Sequence, residues 1–509
     1  MFPGIWAART PDKPAIVMAG SGRVLTYQEL EERSLRVARH LRACGLRRGD
    51  VVALLTDNRP EAYEVYWAAL RSGLYITAVN SHLSADEVAY IVTDCGAKAL
   101  VVSADVPAVA SLEVPVEHRL AYGGEVDGYT DYEAALAAAG DEPIEESHGD
   151  DLLYSSGTTG RPKGIRSPLP EIAVGEPGYV YPLVFGTTYA FDDSSVYLSP
   201  APVYHAAPLR FGGVVHAYGG TLVMMERFDA EQALATIARY GVTHTQMVPT
   251  MFVRMLKLPE DVRPSYDVSS LQCVVHAAAP CPVEVKRRMI EWFGPIIEEY
   301  YASTEGMGAT AIDSATWLEH PGSVGRPIIG VPHIVGEDGR ELGPGEVGAI
   351  YFERTDRSFA YLGDPSKTAA AKHPDHDSWT TVGDVGYLDE DGFLYLTDRV
   401  AFTIISGGVN IYPQEIEDLF SLHPAVADIA VIGVPDEEMG ERVAAFVQTA
   451  PGVAPSSELA EELIAYARDG IAHYKIPREI HFRDSLPRTP TGKMVKRRLV
   501  PDPQPSEPR

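Results

Sequence analysis

The sequence has only four cysteines among its 509 residues: Cys44, Cys95, Cys273 and Cys281. They lack the CxxC pairs of a zinc site and the density of a disulfide-stabilised domain. We therefore expect reduced thiols in the core, with neither a structural zinc site nor a disulfide framework.

Basic residues are scarce: 43 Lys and Arg stand against 71 Asp and Glu, which gives a formal net charge of −28. Such an acidic surface repels phosphate backbones and anionic lipid head groups over the distance that salt screening leaves open. Nucleic acid is therefore not an expected partner. If the ligands are themselves polyanions, the basic residues near them must be clustered, and a cluster does stand near the C-terminus.

Long apolar runs are also missing, since no stretch reaches the ~18 residues needed to span a bilayer. The opening MFPGIWAARTPDKPAI contains acidic and proline residues ahead of any long apolar run, so a signal peptide is not expected. These absences predict a soluble cytoplasmic protein without a membrane span.

What the chain does contain is a repeated alternation of apolar strand-like runs and amphipathic helical stretches, the pattern of layered α/β architecture. In one example, Asp229 precedes residues with helical spacing and Gly241 follows them as a stop. The alternating run 242–248 comes next and predicts a strand. The length suggests roughly two to four structural units.

The last hundred residues repeat this pattern on a smaller scale. Pro413 opens a predicted helix, an apolar strand follows at 427–434, and further strand and helix patterns extend to 482. The connecting segment 396–408 is short and ends in two glycines. We expect a hinge near residues 399–402, and hence two parts, 1–398 and 399–509.

The segment Tyr154–Gly164, YSSGTTGRPKG, packs hydroxyls, glycines and Lys163 into eleven residues after a strand-like run. Glycines let backbone N–H groups converge on phosphate oxygens, hydroxyls add donors, and the lysine adds positive charge. The spacing is not GxxxxGK[ST], so it excludes a P-loop NTPase. The ordinary alternative is a polar surface turn.

This loop resembles the signature of the adenylate-forming superfamily, which includes acyl-CoA synthetases, nonribosomal adenylation domains and firefly luciferase. The likeness covers nearly the whole chain and is closest to acyl-CoA ligases. Further motifs follow in the family's order: PVYHAAP (202–208), HAAAP (276–280), YYASTEG (300–306), VGDVG (382–386), DR (398–399), SGG (406–408) and PTGK (490–493).

The resemblance implies a fold and a reaction. The fold would be a large N-terminal domain of layered α/β subdomains with a distorted β-barrel portion, followed by a small mobile C-terminal α/β domain. The reaction would use ATP and Mg²⁺ to convert a small-molecule carboxylic acid into an acyl-adenylate with release of pyrophosphate. The acyl group would then pass to CoA.

The resemblance also implies site residues. Nucleotide contacts would come from Ser155, Ser156, Gly157, Thr158, Thr159, Gly160, Lys163, Ala278, Ala279, Pro280, Tyr301, Ala302, Ser303, Asp384 and Arg399. Catalytic roles would fall to Lys493, Glu305, Thr304 and His205, with Glu305 also holding Mg²⁺. Because a carboxylate attacking a phosphate joins two anions, the transition state needs neutralising charge, which Lys493 and the metal would supply.

Several alternatives stay open. His205 either gates the acyl pocket or packs as an ordinary loop histidine. His276 stands where many relatives have a small residue, and it would alter selectivity if it faced that pocket. The apolar, glycine-rich run 211–220 favours an apolar tail or ring over a small acid.

The acyl acceptor is the least determined partner. The family usually has Asp or Lys two residues after the hinge arginine, and here that position is Ala401. An acyl- or aryl-CoA ligase is the leading interpretation, and a ligase in which an amine attacks the adenylate without CoA is the alternative. A non-catalytic nucleotide-binding protein is disfavoured, because binding alone would not need both Glu305 and Lys493.

Overall fold

The computed structural model describes residues 2–155, 162–355, 359–399, 402–406, 409–436, 439–488 and 494–499, with the backbone only at Ser155, Asp398, Arg399 and Arg497. Seven residues named individually in the sequence lie outside this part of the chain: Ser156, Gly157, Thr158, Thr159, Gly160, Ala401 and Lys493. Residues 407–408 of the SGG motif and 490–492 of the PTGK motif also lie outside it.

The first part of the chain forms a parallel sheet covered by helices. Its elements are α1 (Pro3–Arg9), β1 (Pro14–Met18), β2 (Val24–Thr26), α2 (Tyr27–Ala43), β3 (Val51–Leu55), α3 (Glu61–Arg71), β4 (Tyr75–Val79), α4 (Ala85–Asp94), β5 (Ala97–Ser103), β6 (His118–Tyr122), β7 (Thr130–Asp131), α5 (Tyr132–Ala138) and β8 (Asp150–Asp151). Six strands pair in the order β7-β6-β5-β3-β4-β8, all parallel. The central strand β3 is buried along its whole length, as the continuous apolar run predicts.

The next part begins with a hairpin and then builds the parallel half of the main sheet. Its elements are β9 (Leu153–Ser155), β10 (Lys163–Arg166), a π-helical turn (Pro182–Gly186), β11 (Val196–Ser199), α6 (Ala206–Tyr218), β12 (Thr221–Met224), α7 (Ala230–Tyr240), β13 (His244–Met247), α8 (Pro249–Leu256), β14 (Cys273–His276), α9 (Val283–Phe293) and β15 (Ile297–Ala302). Asp229 caps α7 by accepting from the Gln232 backbone N–H, and Gly241 ends it at φ 61°. Both local predictions are confirmed.

The helix α6 packs closely against α3, and its glycines make this possible. A Cβ on Gly212 would lie 1.9 Å from the Tyr63 hydroxyl, and one on Gly213 would lie 2.7 Å from the Tyr66 hydroxyl. Only glycine allows this approach.

The antiparallel half of the main sheet follows. Its elements are β16 (Ala309–Ile312), α10 (Ser314–Glu319), β17 (Ser323–Ile329), β18 (Val331–Val335), β19 (Gly348–Glu353), β20 (Ala360–Tyr361), α11 (Pro365–Ala370), β21 (Trp379–Thr380), β22 (Asp384–Leu388) and β23 (Leu394–Arg399). The main sheet runs β18-β19-β22-β23-β17-β16-β15-β14-β13-β11-β12-β1-β2, with β21 beside β19. The strand β20 is not part of it and pairs with β10 of the hairpin. The antiparallel strands of the main sheet have a small core of their own around Ile350 and Phe352. Among the described residues they continue the main sheet in an open order, in place of the expected distorted barrel portion.

The last part is a separate α/β unit with its own core. Its elements are β24 (Ile404–Ser406), β25 (Val409–Ile411), α12 (Pro413–Phe420), β26 (Val426–Asp436), β27 (Gly440–Thr449), α13 (Ser457–Gly470) and β28 (Glu479–Phe482). Five strands pair as β25-β24-β27-β26, with β28 parallel to β27. The expected architecture of a large N-terminal and a small C-terminal α/β domain is confirmed.

The two domains contact each other, and Lys257 Nζ donates to the backbone carbonyl of Val426 at 2.7 Å. All four cysteines are free thiols, as expected from their number and spacing. Within the described ranges, no helix combines the length and the apolar character that crossing a membrane requires.

Candidate active site

A cavity of about 1520 Å³ lies between the two domains. Ten of the predicted site residues line it: His205, Ala278, Ala279, Pro280, Tyr301, Ala302, Ser303, Thr304, Glu305 and Asp384. The C-terminal domain contributes Phe402, Asp418, Met494 and Lys496, among others, to the same wall. Residues more than 200 positions apart in the chain therefore share one site.

The end of β15 divides the cavity into two parts. Successive side chains of a strand point to opposite sides, so Tyr300 and Tyr301 face different neighbours. The Tyr301 hydroxyl donates to Asp384 Oδ2 at 2.7 Å, whereas the Tyr300 ring packs against Phe185 and Phe211. We call the part beside Tyr301 and Asp384 the nucleotide end, and the part beside Tyr300 the acyl end.

Asp384 stands at the start of β22, directly across from Arg399 in the antiparallel register with β23. The carboxylate is largely buried and accepts the Tyr301 hydroxyl. These two residues, both predicted to contact the nucleotide, thus come from neighbouring positions on paired strands. The backbone pairing accounts for their proximity.

Glu305 is only 8% exposed, and the Tyr361 hydroxyl donates to its Oε1 at 2.9 Å. The Lys367 ammonium lies 4.3 Å from the centroid of the Tyr361 ring and also lines the cavity. Arg354 Nη1 donates to the Gly306 carbonyl at 2.8 Å, which holds the turn after Glu305. Sequence reasoning missed these three supporting residues, because nothing in their local sequence marks them.

The strands β9 and β10 are the two sides of a hairpin whose connection is the predicted phosphate loop. Ser155 pairs with Lys163 in register, so the two residues that flank the loop lie side by side. The Lys163 ammonium forms an ion pair with Asp364, and it holds the pKa of that carboxyl well below its usual range. Asp364 also caps α11, which ties the hairpin to this helix.

Ala278 has φ 75°, a left-handed conformation that an alanine rarely adopts. It lies in the wall of the cavity between Ala277 and Ala279. Strained backbone of this kind is concentrated at functional sites, where the surrounding structure holds it in place.

His205 lies at the N-cap of α6 and lines the cavity. Its Nε2 is buried and has no hydrogen-bond partner among the residues with described side chains. Burial lowers the pKa of His205 to about 3, with a smaller contribution from His82, so the imidazole is neutral at neutral pH. This geometry suits a residue that faces a ligand better than an ordinary loop histidine.

His276 does not face the acyl end. Its side chain is fully buried beside the Phe252 ring, with centroids 5.4 Å apart, and its Nε2 lies 3.4 Å from Glu299 Oε2. It is absent from the residues that line the cavity. The suggested effect of His276 on selectivity therefore has no geometric basis.

Several residues of the acyl end lie outside every motif. Tyr181 precedes the π-helical turn, Phe185 lies within it, and Arg210 and Phe211 extend from α6. Of these, only Phe211 falls in the apolar run that the sequence singled out. A lone arginine within an otherwise apolar helix was the available signal for Arg210.

The C-terminal domain adds positively charged side chains to the cavity wall. Lys496 Nζ lies 2.9 Å from Glu417 Oε1 at the cavity, and Arg488 and Met494, on either side of the segment that contains Lys493, also line it. Lys475 instead forms an ion pair with Glu415 at 2.5 Å.

Comparison with known proteins supplies the family. The family described as AMP-binding enzyme matches residues 5–358, and the family described as AMP-binding enzyme C-terminal domain matches residues 415–493. A fatty acid–[acyl-carrier-protein] ligase from Streptomyces coeruleorubidus is 32% identical over 97% of this chain and 94% of its own. A 2-succinylbenzoate–CoA ligase from Bacillus licheniformis is 33% identical over 97% and 98%.

Solved structures agree with this assignment. The o-succinylbenzoate CoA synthetase of Bacillus subtilis, in complex with its acyl-adenylate intermediate, has a TM-score of 0.80 at 27% identity, over 98% of both chains. An amide bond synthetase from Marinactinospora thermotolerans has a TM-score of 0.78 at 26% identity, over 97% of this chain and 98% of its own. The motifs, the two-domain fold, the shared cavity and the family match together establish that this chain belongs to the AMP-binding enzyme family of adenylate-forming ligases.

Proposed function

We propose that this protein uses ATP to activate a carboxylic acid as its acyl-adenylate and then transfers the acyl group to the thiol of CoA. In the first step a carboxylate oxygen attacks the α-phosphorus, and the bond to pyrophosphate breaks. In the second step the thiol sulfur attacks the acyl carbonyl, AMP leaves, and the thiol proton passes to solvent. The curated relatives carry names of acid–thiol ligases, which supports this order of reactions.

One observation carries the proposal. A single cavity joins a polar end, with Asp384, Thr304 and Glu305, to an apolar end lined by aromatic rings. The C-terminal domain forms a further wall of the same cavity. An acid bound at the apolar end would therefore meet a nucleotide bound at the polar end. Holding two reactants in such proximity is a large part of the catalysis of a bimolecular step.

The nucleotide end suits adenosine. Asp384 would accept the ribose hydroxyls with support from Arg399, and Tyr301, already hydrogen-bonded to Asp384, would lie against the base. Ala278, Ala279 and Pro280 present small side chains along the cavity wall. Thr304 and the loop residues 155–160 would donate to the phosphates.

The residues present also fit Mg²⁺. Magnesium is usually held by one or two carboxylates, substrate phosphates and several waters. Glu305 offers one buried carboxylate, oriented by Tyr361, and the described part of the chain has no cluster of three or more acidic, His or Cys side chains that would hold a metal by itself. When bound, the ion would polarise phosphate oxygens and offset their charge.

Lys493 would supply the second positive charge. We assign it to a C-terminal lid, residues 399–509, that pivots on an N-terminal domain of residues 1–398. Met494 and Arg488 at the cavity support this assignment, because they bracket the lysine in sequence. The thioester step would use a second orientation of the lid, in which the acceptor thiol takes the place of the lysine.

The alternative acceptor is an amine, as in the structurally similar amide bond synthetase. CoA is favoured because a sequence relative at 33% identity carries the name of a CoA ligase, whereas the amide synthetase is a more distant neighbour at 26%. The acidic composition and free cysteines support a cytoplasmic location.

The test is a pyrophosphate-release assay with a panel of fatty and aromatic acids, with and without CoA. We expect acid- and ATP-dependent pyrophosphate release, an acyl-AMP detectable by mass spectrometry without CoA, and a thioester with CoA. Release of pyrophosphate without any thioester, together with amide formation from an added amine, would identify the amine and not CoA as the acyl acceptor. No acid-dependent release from any acid would contradict adenylation itself.

A further inference from the structure

We propose that the substrate is an aromatic carboxylic acid with an uncharged hydrogen-bond-accepting oxygen at the end remote from its carboxyl group, and that Arg210 selects it through that oxygen. This inference rests on the proposed adenylation and concerns only the identity of the acid. The acids named for the relatives range from fatty to aromatic, so the family alone does not decide it.

The position of Arg210 follows from the helix that carries it. Ala206, Arg210 and Val214 are spaced by four residues on α6, so they share one face, and all three line the cavity. This face covers about 12 Å along the helix axis. Arg210 stands one turn beyond Ala206, deeper in the acyl end than His205 at the N-cap.

The walls around this face are aromatic. The Phe185 ring centroid is 5.2 Å from that of Tyr300 with 57° between the planes, and the centroids of Tyr300 and Phe211 are 6.1 Å apart with 29° between the planes. The rings of Tyr181 and Phe185 lie near-parallel, with an angle of 10° between their planes. Aromatic walls favour an aromatic ring in the ligand, because offset-stacked and edge-to-face contacts add to the hydrophobic term.

Arg210 has one donor nitrogen to spare. Its Nε and Nη2 donate to the two carboxylate oxygens of Asp151, both at 2.7 Å, and its guanidinium lies 4.3 Å from the Tyr181 ring centroid. Its Nη1 has no hydrogen-bond partner among the described side chains and backbone. The side chain is only 12% exposed, and that exposure is toward the cavity. This nitrogen is therefore a charged donor on the cavity wall, and a ligand oxygen would accept a hydrogen bond from it.

The charge of the site favours a neutral oxygen on the ligand over a second carboxylate. Asp151 is 4% exposed, and it already neutralises Arg210 in a bidentate pair. A second carboxylate on the ligand would bring a buried charge without a counter-charge, which is costly in an apolar pocket. A hydroxyl, methoxy or carbonyl oxygen accepts from Nη1 without that penalty. An unsubstituted aliphatic chain would leave Nη1 unpaired.

The experiment compares acids that differ by one group in pyrophosphate release by the full chain. The probes are benzoate and cinnamate, their 3- and 4-hydroxy derivatives, 4-carboxycinnamate and octanoate. We expect kcat/KM for the best hydroxylated acid to exceed that of its unsubstituted parent by about tenfold to a hundredfold, because the hydrogen bond is to a charged donor. The 4-carboxy acid and octanoate should both fall below that hydroxylated acid.

Variants assign the preference to Arg210. The double variant Arg210→Met with Asp151→Asn removes the donor without leaving a buried carboxylate unpaired, and it should reduce the hydroxyl preference to about onefold while cinnamate is still adenylated. Val214→Ala, on the same helix face, is the matched control and should retain the preference. Because the readout is a ratio between two acids in one protein, a general loss of stability does not mimic the result.

A preference for octanoate, equal rates with and without the ring oxygen in the unaltered protein, or a preference unchanged in the double variant would each overturn this inference. If the double variant does not fold, the acid comparison in the unaltered protein still decides. Absence of pyrophosphate release from every acid would instead contradict the proposed adenylation.

Discussion

The nucleotide end and the acyl end of the cavity are built in different ways. At the nucleotide end, neighbours in sequence such as Tyr301, Ser303, Thr304 and Glu305 supply polar groups from one strand end and the turn that follows it. At the acyl end, single residues from the π-helical turn, α6 and β15 meet only in the folded chain. We infer that the first end determines which reaction occurs and the second determines which acid enters it.

The largest expected effect separates reaction from binding. Lys493→Ala should lower the rate of adenylate formation by about 10²–10³-fold, because it removes a positive charge from the transition state. The affinity for ATP should change far less. Single-turnover acyl-AMP formation and equilibrium binding of ATP measure the two quantities, and an equal loss of both would contradict the role assigned to this lysine.

Glu305→Gln should act at the nucleotide end for every acid. We expect the Mg²⁺ concentration for half-maximal activity to rise by about tenfold to a hundredfold, because a carboxylate ligand is lost. Tyr361→Phe, which removes only the hydrogen bond to Glu305, should give a smaller shift in the same direction. Magnesium titrations at fixed ATP provide the measurement, and a shift that differs between acids would break the division between the two ends.

Phe185→Leu should act at the acyl end alone. The loss of its contacts with Tyr181 and Tyr300 should raise KM for an aromatic acid by about two- to tenfold. KM for ATP should stay the same. Steady-state kinetics with each substrate varied in turn test this, and a matching rise in KM for ATP would show that the two ends are coupled.

The smallest effect concerns pH. Because burial lowers the pKa of His205 to about 3, its imidazole is neutral above about pH 4 and has no proton to lose between pH 6 and 9. His205→Gln should therefore leave the shape of the kcat/KM profile unchanged over that range, with at most a change of about threefold in its height. A titration near pH 6–7 that disappears in the variant would show that the histidine is charged during turnover.

The sequence predicted correctly the features that depend on short-range interactions. The Asp229 cap, the Gly241 stop and the helix at Pro413 depend on backbone groups a few residues away, so short stretches suffice to predict them. The same holds for the turn at 302–306, whose residues reach one cavity because they are consecutive.

The supporting contacts were not readable in this way. Tyr361 reaches Glu305 across 56 positions, and Arg210 reaches Asp151 across 59. Both contacts depend on which strands and helices lie side by side. His276 is the last residue of β14, and its burial likewise depends on which side of the sheet this strand end faces. The alternating pattern alone left that side undetermined.

The order of motifs along the chain was enough to predict the two-domain architecture and the family, because each motif is a short segment with its own chemistry. Only the tertiary structure brought Arg210, Asp151 and the aromatic rings into one pocket. That pocket arises from long-range packing, in which Tyr63 and Tyr66 of α3 lie against Gly212 and Gly213 of α6. Short sequence segments therefore predict the chemistry of the reaction, whereas the choice of acid is a property of the folded chain.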